Sequence, residues 1–268
     1  MTRTMLKTLA CLIPVILLAP AVQADATLIM KDAGGKTDSV IEVRDHMVRL
    51  STPGESDYML YDAQRDVAIQ VNHSEQTYME INRDTLAQMA TSMAKIQQQM
   101  APQMAQMREQ LKNMPPEQRA MIEQQMGGMA HLGAMESKPA ATITTVKRGS
   151  DKIAGFKCRH FDVMNKKQRI GNVCVATSAD AGMSKADFSA LRSAMKFMRK
   201  MAEGAQKLSA GMGDTQISMG KVDGVPVFAK DIQHGREFRL SSVSNDTLDA
   251  ARFNEYQSLK RTEMPSMP

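Results

Sequence analysis

Six short apolar segments lie between Thr27 and Ile81, and their close spacing constrains the fold of this chain more than any other feature. They are Leu28-Ile29-Met30, Val40-Ile41-Glu42-Val43, Met47-Val48-Arg49-Leu50, Tyr58-Met59-Leu60-Tyr61, Val67-Ala68-Ile69-Gln70-Val71 and Thr77-Tyr78-Met79-Glu80-Ile81. Turn-forming pieces such as Gly34-Gly35, Pro53-Gly54 and Asn72-His73-Ser74 separate them. Connections this brief join antiparallel neighbours, because a parallel pair needs a crossover of about a dozen residues or more. The segment reads as a meander.

The composition changes at Arg83. As far as Glu136 the chain consists mainly of Met, Gln, Ala and charged residues, which are good helix formers, with few β-branched side chains among them. Pro102 is expected to kink or restart this helix, Pro115-Pro116 to end one helix and open the next, and Gly127-Gly128 to close it. Met93, Met100, Met107, Met114 and Met121 stand seven apart. A seven-residue repeat drifts only about 20° per repeat around a straight helix, so these methionines share one broad face that the prolines divide. The prediction is a helical hairpin or arm over 83–136.

Strand patterns return after Pro139, through Thr142 to Val146, Ile153 to Val163 and Ile170 to Thr177. A second helix is expected from Ser184 to Leu208, where Phe188, Leu191, Met195, Met198 and Met201 keep a helical spacing. Two or three strands follow, over Val222 to Ile232 and Glu237 to Val243, then a last helical turn from Thr247 and a tail over 263–268.

The first residues carry Arg3 and Lys7, then the apolar run Leu9 to Ala21, then Val22-Gln23-Ala24. A positive region, a short hydrophobic run and a small-residue site predict a signal peptide over 1–24, cleaved after Ala24, and a periplasmic protein. Cys11 sits inside the apolar run, not at its end where a lipid-modified cysteine would stand. The remainder holds 32 basic and 29 acidic residues, a balance too mild to imply nucleic acid or an anionic membrane as partner. No later stretch is long and apolar enough to span a bilayer.

Two cysteines remain, Cys158 and Cys174, an even number in an export setting. If their strands form a hairpin over Asn165-Lys166-Lys167, equal counting from Lys166 sets them opposite each other, at a separation a disulfide can close. The alternatives are a redox-active pair, a thiolate metal site or two free thiols, although the spacing is not the two-residue gap of a catalytic thiol motif.

No H-E-x-x-H, G-x-S-x-G, C-x-x-C, P-loop or G-x-G-x-x-G pattern occurs, and His46, His73, His131, His160 and His234 are scattered among ordinary polar residues. The expectation is a protein that is not an enzyme and needs no cofactor. Methionine is the anomaly, with 25 in the chain. Thioethers select Cu(I), and Met104/Met107, Met126/Met129, Met195/Met198 and Met198/Met201 have the spacing of one helical face. Met129, His131 and Met135 form the best mixed cluster for a metal. Against Cu(I) stand two other uses of methionine, packing in an apolar core and scavenging of oxidants.

The stretch Lys152-Ile153-Ala154-Gly155-Phe156-Lys157-Cys158, with Val173-Cys174-Val175-Ala176-Thr177, resembles the G-Y-K-C … V-W-V-T hairpin of a family of uncharacterised periplasmic proteins with a domain of unknown function, related to the lipoprotein-carrier (LolA/LppX-like) half-barrels. Met114 to Met121, Val222 to Val227 and Ala251 to Tyr256 also fit, while Cys174 stands where the family carries a bulky aromatic. The resemblance implies an α+β fold: a strongly curved antiparallel sheet, or half-barrel, with helices covering its concave face around an apolar cavity. The chain would then be one domain over 25–262, with the Met-rich helices of 83–136 as an insertion. The function implied is the holding of a hydrophobic ligand, a lipid or acyl chain, between sheet and helices. The other readings are Cu(I) binding or oxidant scavenging, and a structural module for an envelope protein or lipoprotein.

Overall fold

The computed structural model describes residues 25–112, 143–208 and 222–263. The expected signal peptide, the second half of the Met-rich insertion and nearly all of the tail lie outside these residues.

Strands β1 (Ala26–Asp32), β2 (Thr37–Arg44), β3 (Met47–Ser51), β4 (Tyr58–Asp62), β5 (Val67–Asn72) and β6 (Thr77–Ile81) form a continuous antiparallel meander. Asx side chains set several of its turns. Asp62 accepts from the backbone N–H groups of Gln64 and Arg65 at 2.9 and 3.1 Å, Asn72 from that of Glu75 at 3.0 Å, and Asp32 from that of Lys36 at 2.9 Å.

Helix α1 (Arg83–Lys112) follows, with Asn82 capping the N–H of Thr85 at 2.8 Å. It continues through Pro102, so the helix is not restarted there. One missing hydrogen bond in a 30-residue helix is offset by the turns on either side. Strands β7 (Ile143–Ile153), β8 (Phe156–Asn165) and β9 (Gln168–Ala176) form a second antiparallel block. Helix α2 (Lys185–Leu208) comes next, then β10 (Val225–Asp231) and β11 (Glu237–Ser244). The chain closes with α3 (Ala251–Asn254), a 3-10 turn (Glu255–Ser258) and β12 (Lys260–Thr262).

All of the described strands join one 12-stranded sheet in the order β12-β6-β5-β4-β3-β2-β1-β11-β10-β9-β8-β7. The pairing of β1 with β11 unites the two blocks, and β12 pairs parallel to β6, which makes the sheet mixed. This corrects the expected α+β half-barrel with helices over its concave face. The sheet is open, with β7 and β12 at its edges, and strand dominates the fold.

The reason is width. Twelve strands at about 4.8 Å spacing span roughly 50 Å, whereas a helix is about 10 Å across and covers only two or so strands. Helix α2 lies over β2 and β3 and reaches Tyr61 of β4, with α1 beside it, so two helices of the described residues face a sheet of twelve strands.

Candidate functional site

The face under α2 is built from cross-strand rows. Ala26, Val43, Val48, Tyr61, Ala68 and Ile81 stand opposite one another from β1 to β6, and all six are buried. Phe197 of α2 packs on this row, its ring 5.3 Å from that of Tyr61, beside Ala190, Leu191 and Ala194 in the same core. Ser184 caps α2 by accepting from the Asp187 N–H at 3.1 Å, while its hydroxyl donates to the Asp187 carboxylate at 2.5 Å.

One pleat away, about 7 Å along the strands, runs a second row on the same face. It comprises Leu28, Ile41, Leu50, Met59, Gln70 and Met79. Leu28 is buried, but Ile41, Leu50, Met59 and Met79 are only half-buried. Met195 and Met201 of α2, also half-buried, pack against the same core. The helix thus seals the first row and leaves the second as an apolar seam rimmed with methionine. Unbranched thioethers repack at little cost, so such a seam can fit guests of varied shape.

The first turn of α1 is fixed at the buried row. The Tyr61 hydroxyl donates to Asp66 at 2.7 Å, and Arg83 donates to the same carboxylate at 2.6 Å. The Tyr61 hydroxyl foremost, and then Arg83, hold Asp66 below the usual carboxylate range against the opposing effect of burial. Burial, and then Asp66 itself, push the Tyr61 phenol above its ordinary range.

The opposite face is closed by the chain's own end. Tyr58, Leu60, Val67, Ile69 and Val71 pack there with Phe253 and Tyr256. Arg252 reaches Glu42 at 3.0 Å and Arg261 reaches Glu80 at 2.9 Å, so arginines clamp this strap near both of its ends. Asp25 adds a third tie, accepting from the Leu248 N–H at 2.7 Å.

Cys158 and Cys174 are bonded, with their Cα atoms 5.5 Å apart. Their register differs from the symmetric count. The connection after Asn165 is the two-residue turn Lys166-Lys167, and a register shift follows at Val163/Met164, so Cys174 faces His160 and lies diagonal to Cys158. A cleft of about 570 Å³ opens beside the bond, lined by Ser150, Lys152, Lys157, Arg159, Thr177 and Asp180 among others. It is open and lined mostly by charged and hydroxyl side chains, unlike the enclosed apolar cavity the family resemblance implied.

Met129, His131 and Met135 lie outside the described residues, as does the pair Met126/Met129. Met104 and Met107 fall within α1, and Met195, Met198 and Met201 fall on α2, where Met195 and Met201 serve packing. Among the described residues no three His, Cys, Asp or Glu side chains gather as metal ligands. His234 is held by Asp231 at 2.7 Å in the β10–β11 turn, His46 lies 3.7 Å from Asp62, and His73 lies 4.0 Å from Glu255. Each of these three is thus beside one carboxylate, and none is the centre of a larger constellation. Among the described residues no helix is long and apolar enough to cross a membrane.

The molecule is thus an open mixed-sheet protein with one apolar seam left half-covered. No protein-family model matches the chain, and no curated protein matches it. Among solved structures it is similar to an uncharacterised conserved protein from Thermus thermophilus at 5% identity, covering 91% of this chain and 92% of that one, with a TM-score of 0.39. So distant a likeness carries no functional argument.

Proposed function

We propose that this is a non-enzymatic, periplasmic binding or chaperone-like protein that holds a hydrophobic ligand, such as an acyl chain, along the Met-rimmed seam beside α2. The observation that carries the reading is the half-buried row Ile41, Leu50, Met59 and Met79, one pleat from a fully buried row on the same face. A row needed only for the core would be expected under the helix. The signal-like leader and the bonded cysteines fit an oxidising compartment.

Native mass spectrometry of protein purified from the periplasm tests this. Co-purifying lipid, or an adduct after incubation with a long-chain fatty acid, is the expected result. Met59→Lys and Met79→Lys should abolish the adduct while circular dichroism stays unchanged. A mass that remains apo after lipid incubation sinks the proposal.

A further inference from the structure

The stretch from Lys147 to Arg169 holds eight lysines and arginines and only two acidic residues, a local net charge of +6 in a chain whose total is +5. All eight basic side chains are exposed. Of the two acids, Asp162 is buried between Arg148 at 2.6 Å and Arg169 at 3.6 Å, and Arg159 donates to the Asp223 carbonyl at 3.0 Å. Lys147, Lys152, Lys157, Lys166 and Lys167 form no ion pair among the described residues.

The register sharpens the point. Lys152 stands directly opposite Lys157, an arrangement that costs stability because like charges face each other across neighbouring strands. Among the described residues β7 is the outermost strand of the sheet at this end and runs for 11 residues, long for an edge, with a register shift between Lys147 and Gly149. An edge strand presents a row of backbone donors and acceptors to whatever comes alongside.

We propose that the β7 edge is a docking surface for an extended acidic segment of a partner polypeptide, which adds to the sheet while its carboxylates meet Lys147, Lys152 and Lys157. Main-chain hydrogen bonds supply the affinity in this mode, and charge selects the partner. The backbone edge favours a polypeptide over a lipid headgroup, which offers no strand to pair. The opposing reading is that these lysines blunt the edge against any pairing. The two readings predict opposite results.

The test is a titration of the disulfide-intact protein with a labelled peptide of about twelve residues alternating glutamate and valine. Saturable binding is expected, weakening on the order of tenfold as salt rises from about 50 to about 500 mM, with new amide-exchange protection confined to β7. Lys152→Glu turns the like-charge pair into an opposite pair, so it should leave melting temperature unchanged or raised while weakening the peptide several-fold. Lys147→Gln/Lys152→Gln provides a second variant with no new charge. No saturable binding, indifference to salt and to both variants, or protection elsewhere overturns the proposal. So does adherence to phosphatidylglycerol vesicles without peptide binding, which would make the wing a membrane surface.

Discussion

Asp187 occupies the third position of helix α2 and is 1% exposed, its carboxylate facing the Ser184 hydroxyl that caps the helix. Burial raises its pKa, with Asp25 and Asp45 adding repulsion and the Ser184 hydrogen bond opposing the rise. A carboxyl raised in the folded state binds its proton more tightly there than in the unfolded chain. Its contribution is therefore fully present below the ordinary range near 3.8 and is lost as pH rises through the raised value. At neutral pH the buried charge is a cost. Asp187→Asn keeps an acceptor for Ser184 and removes that charge, so urea denaturation at pH 7 should show the variant more stable by on the order of 1 kcal/mol. The difference should shrink as pH falls through the raised value and vanish below about 3.8. A variant equally destabilised at both pH values would mean that the helix N-terminus uses the charge itself. Asp66 is the counter-case: its pKa is held down, so its contribution is lost as pH falls.

At the scale of elements, the two-residue turn between β7 and β8 places both Ala154, at φ 50°, and Gly155, at φ 90°, in the left-handed region. Such hairpin turns favour Asn-Gly, because alanine gains nothing there to offset its crowded Cβ. Ala154→Asn should stabilise the protein by roughly 0.5–1 kcal/mol, seen as a higher urea midpoint with an unchanged slope. The same turn shows where local reading stops. Alternation and bounding Gly, Pro or Asx residues located β1 to β6 well, even though β4 and β5 bury both faces, one under α2 and one under the strap. The run from Ile153 to Val163 reads as one strand unless Gly155 is taken as punctuation, and the symmetric count across Lys166 hides the register shift that makes the cysteines diagonal. The concentration of lysine between Lys147 and Arg169 was visible in the sequence, yet averaging charge over the whole chain conceals it.

For the whole molecule, what no local pattern contains is how the blocks meet. The β1–β11 pairing, the parallel addition of β12 to β6, and the half-covered row beside α2 all arise from contacts between distant segments, and so the open sheet could not be told from a half-barrel by strand count alone. The C-terminal strap shows the same dependence. Its two arginine clamps are partly exposed on the arginine side and worth little singly, since solvent screens them. Phe253, at 2% exposure in one cluster with Leu60 and Ile69, carries more. Because the strap is tied at Leu248 to Asp25 and at Thr262 to Tyr78, losing its middle should not release it alone. Phe253→Ala should instead weaken the entire sheet by about 3–4 kcal/mol, lowering the melting temperature by roughly 6–16 °C in a single transition. Hydrogen exchange separates the outcomes: a cooperative sheet speeds exchange in the most protected amides of β1 to β6 and in the strap together. Faster exchange confined to residues 248–262 would show instead that the strap opens on its own and that the face beneath it can be uncovered without unfolding.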